Sequence, residues 1–584
     1  MPRLIPALGF ALAAGLLAFV GLPSAPAQPK AGPAVIPPTF PTLTTSATLS
    51  AKPGATADLV LTGTNLAEAT GVWTSFGGKV TIPDGQKDAT KLNVKLDVPK
   101  DLPPGLHFVR VATKAGVSNF RPLSIDDWVE VAETDKNRSK STPQVVPVPS
   151  VIVGKADVEA ADFFKFPVVA GKPITLEILA RRLGSPLDPV LVLSDANGRE
   201  LGVYADDTPG LQSDARIVYT PKVTGELIVE VRDSTYRGGA DFAYRLKIGA
   251  FPGATTAYPL FIQRGTKAEI NFTGPDAIGT KPVMLAAPAD PTLDVLYATP
   301  RRADGLAGTP VPVRLSDYPQ LVEVEPNNDA AKATKLPVPG GVTARFAEKN
   351  DQDFFSFPAK KGIKYVVTAI AYDVNSPTEI YVRLLDAKGA ELGKSTATTP
   401  TARVEVTAAA DGDLVIACEH LNYIAGPSEV YHLSVVPAAP DFAITVGLDR
   451  ILVPLAGSGQ IPIVGFTKLN GFNAPVELSV VSADGLTGTL SLPAAANPLV
   501  ATPLLVPVTA KAGTTLGPRV VYLKATAKID GKDVVRYATV TDIARATMSG
   551  LPNPPAELTN RIAVAVGPEV KKKEEPKKEE PKKK

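Results

Sequence analysis

The sequence predicts an all-β chain built as a row of tandem β-sandwiches, and three observations predict it. Pro (57) and Gly (47) punctuate short runs rich in Val, Thr, Ala and Leu, a composition that suits many strands joined by turns. The chain repeats itself, so one β architecture occurs at least twice. Within the repeat, "PITLEILA" and "KYVVTAIAY" alternate or run apolar with β-branched residues, as buried strands do. At 584 residues the chain is too long for one core, and length alone suggests about four domains. With 61 basic against 59 acidic residues it has no overall field to attract nucleic acid.

Arg3 supplies a positive start, an apolar stretch runs from Leu4 to Leu22, and Pro23-Ser24-Ala25-Pro26-Ala27 offers small residues for cleavage before Gln28. Residues 1–27 therefore read as a signal peptide, the alternative being an uncleaved membrane anchor. No Cys stands at the cleavage point to take a lipid, and no later stretch is long and apolar enough to span a bilayer after cleavage. The protein is expected to be exported, to the periplasm, the cell surface or the exterior. Cys418 is the only cysteine, so no intrachain disulfide can form.

"DFFKFPVVAGK" (from Asp162) matches "DFFSFPAKKGI" (from Asp353), and 353 − 162 = 191. The same offset carries Ser185-Pro186 onto Ser376-Pro377 and Gly198 onto Gly389; after a four-residue deletion, 187 carries Tyr244 onto Tyr431. A smaller repeat precedes each copy: Phe40-Pro41 and Gly54 match Phe251-Pro252 and Gly265 at 211. The order read from this is a small module at 37–127, a large one at 128–250, a small one at 251–319, a large one at 320–437, and a fifth β region at 438–567. About eight strands are expected in each large copy, as in a jelly-roll-like sandwich. "VLVLSDANGRELG" and "VRLLDAKGAELG" read as two strands around a tight turn. The tail at 568–584 ends in eight Lys and four Glu. It reads as a solvated end, or as an electrostatic tether to anionic polymer.

The second large copy opens on "EVEPNND", followed about twenty residues later by "NDQDFFSF". In extended chain Glu323 and Glu325 share a face, as do Asp351 and Asp353. Asn327 and Asn328 can turn the chain and offer amide oxygens. Six such residues could supply the oxygens at about 2.4 Å that calcium needs. The other reading is a cap, with Asn328 or Asp329 holding a short helical turn in "DAAKATKL" and the acids solvated.

Catalytic residues are scarce. His107, His420 and His432 are the only histidines, and His107 in "GLHFVRV" reads as an edge residue. Cys418 and His420 fall on one face of a strand, where the first copy has Val231 in place of Cys418, so packing is the expected role. No H-E-x-x-H, G-x-S-x-G or phosphate-binding glycine loop occurs. No catalytic residue and no enzyme activity are expected.

Those residues resemble the bacterial pre-peptidase C-terminal domain. The second copy carries its pattern through "EVEPNND", "DQDFFSF", "DAKGAELG", "DGDLVIACE" and "YHLSV"; the first keeps "DFFKF", "DANGRELG", "GELIVEV" and "YRLKI". The first copy departs at the front, with "WVEVAETDKN" there and Ala160 in place of Asp351, which weakens the case for calcium in it. The small repeats are similar to immunoglobulin-like modules of the IPT/TIG type, and the region from Phe442 resembles bacterial immunoglobulin-like domains. The resemblance implies β-sandwiches attached to exported proteins, used for binding or removed in processing, with calcium in some relatives. The expectation is an exported, non-catalytic protein for binding or surface assembly, partnered by an extracellular protein or glycan and holding calcium in its second large module. The alternative is an accessory or processing module of a secreted peptidase system.

Overall fold

The computed structural model describes residues 36–569, apart from 45–47, 304, 397–400, 484, 497–503, 549 and 551–553. The expected signal peptide and the Lys/Glu tail beyond 569 lie outside the described residues. The rest is a series of two-sheet β-sandwiches, as its alternating segments dictate. Lys91–Asp97, "KLNVKLD", buries every second side chain and exposes the others, the signature of a strand with one face on a core. No helix among the described residues is long and apolar enough to cross a membrane.

The two large modules share one topology. In the first, one sheet runs Glu130–Ala132, Ser150–Lys155, Ala243–Gly249, Ile174–Leu179, Arg216–Tyr219. The facing sheet runs Gln144–Val145, Asp162–Val168, Gly225–Asp233, Pro189–Asp195, Glu200–Ala205. The second module repeats both orders, from Gln320–Val322 to Thr401–Thr407 and from Thr334–Lys335 to Glu391–Lys394. Among the described residues each copy thus has ten strands, where about eight were expected. The short parallel edge strands, such as Gln144–Val145, are too brief to show an alternating pattern. Phe164 and Phe166, and their counterparts Phe355 and Phe357, fill the two cores.

Register corrects the sequence alignment at the front of the copies. Glu130 pairs Val151 and Gln320 pairs Gly341, so the offset there is 190, and a one-residue difference before Asp353 raises it to 191. Glu133, Asp135 and Asn137 therefore occupy the positions of Glu323, Glu325 and Asn327.

The small modules also match each other. In each, the first strand pairs antiparallel with the third, Thr42–Leu43 with Thr56–Thr64 and Thr256–Tyr258 with Lys267–Thr273. The second runs parallel to the last, Leu49–Ala51 with Arg121–Ile125 and Phe261–Gln263 with Val311–Ser316. A fifth sandwich spans Asp441–Val446 to Ile562–Gly567 and has the core of Phe442, Phe472 and Val564.

Modules far apart in sequence pack together. Ala112 and Val117 of the first meet Leu452, Ala563 and Ala565 of the fifth. Beside them Arg110 Nη2 donates to Asp449 Oδ2 at 2.7 Å, both side chains 4% exposed. Arg450 Nη1 also pairs with Asp449 Oδ1 at 2.9 Å, so loss of Arg110 leaves that buried carboxylate with one of its two cations. Arg110→Ala is expected to cost about 2 to 3 kcal/mol in urea unfolding, and Arg110→Met combined with Asp449→Leu and Arg450→Met distinctly less. A loss below about 1 kcal/mol for the single change would show that the contact between these modules carries little stability.

Candidate metal centre

The strand Gln320–Val322 ends beside Gly340–Arg345, and Glu323 N still donates to Thr343 O at 3.0 Å. That last ladder bond aims Glu323 across the open end of the sandwich. Asn327 is fully buried, and its carbonyl accepts from Phe354 N at 2.9 Å, tying the loop to the strand Gln352–Ala359. Asp353 lies at the start of that strand, wholly buried, opposite Cys418 in register. Its Oδ2 accepts from Tyr431 Oη at 2.5 Å.

One oxygen each from Glu323, Glu325 and Asp353 lies within 4.8 Å of the others. That is the span of oxygens lying on a sphere of radius about 2.4 Å, the calcium–oxygen distance. The Asn327 amide points into the same space, and one of its two polar atoms lies 3.2 Å from both Asp353 Oδ1 and Glu325 Oε2. With nitrogen there it donates to two carboxylates; with oxygen there it completes an all-oxygen set. Glu323 Oε2 is buried without a hydrogen-bond partner, an orphaned acceptor a cation would satisfy. The donor set fits calcium, being hard oxygen from three carboxylates and one amide.

The remaining expected ligands fall differently. Asp351 is outside the three-carboxylate group. Its Oδ2 accepts from Ala347 N (2.7 Å) and Glu348 N (3.4 Å), so it holds the loop before the strand, while its Oδ1 is buried without a hydrogen-bond partner. Asn328 is exposed beside the cluster. The cap of the other reading is also present, at Asp329 of the two candidates, though the acids are not all solvated: Asp329 accepts from Ala331 N (2.9 Å) and Lys332 N (3.1 Å) and starts the short turn Ala330–Lys332, while Asp353 is buried. Metal-type cluster and cap occupy successive residues of the same stretch.

Sequence reasoning missed Tyr431, which the Y-x-L closing strand could have signalled, and Tyr258, which nothing near it in sequence could. Tyr258 comes from the preceding small module, and its hydroxyl lies 3.4 Å from Glu323 Oε1. Arg345 lies over its ring at 5.4 Å. Leu260 N donates to Thr343 Oγ1 at 3.0 Å, and Phe261 stacks on His432 at 3.7 Å. The cluster therefore sits on the joint between the second small module and the second large one.

Cys418 and His420 are both buried. His420 Nδ1 accepts from Asn422 N at 3.0 Å, and its Nε2 lies 3.4 Å from Glu429 Oε2. His107 Nε2 lies 3.0 Å from Pro103 O and packs edge-on to Phe76.

No family model matches the chain, and no curated protein matches it. Solved structures align with it at low identity. The pre-peptidase C-terminal domain of a Bacillus anthracis collagenase is similar over 21% of this chain and 99% of its own, at 15% identity and a TM-score of 0.15. A Bacteroides ovatus protein of a mixed-linkage glucan utilization locus, solved with a mixed-linkage heptasaccharide, aligns over 68% of this chain and 74% of its own, at 9% identity and TM-score 0.14. A Clostridium perfringens M60 catalytic domain with two CBM51 domains aligns over 62% of this chain and 46% of its own, at 8% identity and TM-score 0.13.

Burial, then the neighbouring Asp353 and Glu325 carboxylates, push the Glu323 carboxyl up to about 9, against a weaker pull from Arg345. Burial, then Asp351 and Glu325, push Asp353 up to about 8 despite the hydrogen bond from Tyr431. Both folded values lie above the ordinary 4.5 and 3.8. Each group's contribution to stability is therefore full below its unfolded value and is lost as pH rises toward the folded one. His432, which burial pushes down to about 3, is uncharged in both states above pH 7 and drops out of that window. In a chelator, stability is expected to fall between pH 7 and pH 9 by roughly 1 kcal/mol per pH unit for each carboxyl still protonated in the fold. Saturating calcium is expected to flatten the slope. Urea unfolding at three pH values checks this, and a flat profile in chelator would refute it.

Proposed function

We propose that this is an exported, non-catalytic β-sandwich protein for binding or assembly outside the cytoplasm, and that calcium in its second large module stiffens the joint with the preceding small module. The observation that carries this reading is the convergence of Glu323, Glu325, Asn327 and Asp353 at a joint where Tyr258 of the neighbouring module reaches Glu323. Calcium there neutralises the carboxylates and fixes the Glu323 side chain that Tyr258 contacts. Its partner is an extracellular protein or a glycan, met by surfaces that the joined modules hold at a fixed angle.

Calcium at about 100 times its dissociation constant adds roughly 2.7 kcal/mol to the state that binds it. For a module of this size the melting transition should rise on the order of 10 °C. The intact chain is expected to show that rise on calcium addition, to lose it with Glu325→Ala, and to gain amide-exchange protection at residues 256–263 and 340–345. No shift in the wild-type chain would remove the calcium reading. Failure of the calcium-loaded chain to retain any extracellular protein or glycan in a pull-down would remove the binding reading.

A further inference from the structure

The two large modules build the same head from the same residues. Glu133, Asp135 and Asn137 take the positions of Glu323, Glu325 and Asn327, with Asn137 and Asn327 both fully buried. Phe163 N donates to Asn137 O at 2.8 Å, as Phe354 N does to Asn327 O. Tyr244 Oη donates to Asp162 Oδ2 at 2.7 Å, as Tyr431 does to Asp353.

The next residue differs. Arg138 stands where the second module has Asn328, and its guanidinium turns into the cluster. Nη1 lies 3.1 Å from Glu133 Oε1 and also pairs with Asp162 Oδ1, while Nη2 pairs with Asp157. Glu133 and Asp162 are the counterparts of Glu323 and Asp353, so the guanidinium occupies the space between the carboxylates that converge in the other copy. The charges differ in the matching sense. A guanidinium carries one positive charge and a calcium ion two, and the first module has Ala160 where the second has Asp351.

We infer that the two modules share one cation site filled in two ways: calcium fills it in the second, and the Arg138 guanidinium fills it permanently in the first. The inference rests on the calcium reading for its second half and on the Arg138 ion pairs for its first. The first module is then independent of metal, and the chain takes up one calcium ion at these two sites.

Calorimetric titration of the intact chain with calcium chloride tests it, in three forms. The wild type is expected to bind one ion. The variant with Arg138→Asn and Ala160→Asp, which carries the second module's residues, is expected to bind two. Asn328→Arg is expected to bind none, and its second large module should melt at the same temperature with and without chelator. A wild type that binds none, with a double variant that binds one, would sink the calcium reading of the second module and leave the Arg138 assignment standing. A folded double variant that binds no more than the wild type would overturn the inference, as would two ions in the wild type. If the double variant fails to fold, Asn328→Arg decides, and calcium retained by it overturns the inference.

Discussion

Carboxylates brought together away from water cannot all stay ionised unless something positive joins them. Each loses hydration on burial and repels its neighbours across a medium of low polarity. The head of each large module imposes that constraint, because the chain, after its first short strand, must cross the end of the sandwich to reach the facing sheet. Three solutions exist: a proton, a side-chain cation or a metal ion. The first module uses the guanidinium of Arg138 against Glu133 and Asp162. The second presents Glu323, Glu325 and Asp353 with no basic residue among them in the described structure, and the backbone amide and charge of Arg345 offset the burial of Glu323 only in part.

The location of the cluster gives the constraint its reach. Tyr258, Leu260 and Phe261 leave the small module and pack on Val374, Val430 and Ile370 of the large one. The first pair of modules is joined by charge instead. Arg245 Nη2 of the large module donates to the buried Asp126 Oδ2 of the small one at 3.0 Å. The duplicated pairs therefore have unlike joints, one fixed by a buried arginine–aspartate pair and the other lying beside a cluster of carboxylates.

Much of this was legible in the sequence, because the repeat displays each module twice. The all-β class, the paired large sandwiches and the carboxylates Glu323, Glu325 and Asp353 all follow from local patterns. Where structure and pattern differ, the causes are local. Asp351 was grouped with Asp353 by strand alternation, but the loop at 347–350 needs an acceptor for its amides and Asp351 supplies it. The kinship of "ETDKN" with "EVEPN" was hidden by one residue of slippage ahead of Asp353, which only strand register resolves. Tyr258 and Arg138 were invisible as site residues, since their roles depend on contacts that alternation does not encode. The same holds for the packing of the first module on the fifth, where Phe108 and Phe120 meet Ala544, Met548 and Leu558.

That last packing has a consequence for how the chain comes to be folded. Arg110 and Asp449 are 339 residues apart. At ordinary elongation rates the ribosome needs roughly 20 to 70 s to travel that distance. During that interval the first module can close its own sheets, yet Arg110, Ala112 and Val117 wait with their eventual contacts unmade. A newly made chain thus carries a buried-type arginine and a small apolar face in the open until its last module arrives, and whatever escorts it must keep them from other partners.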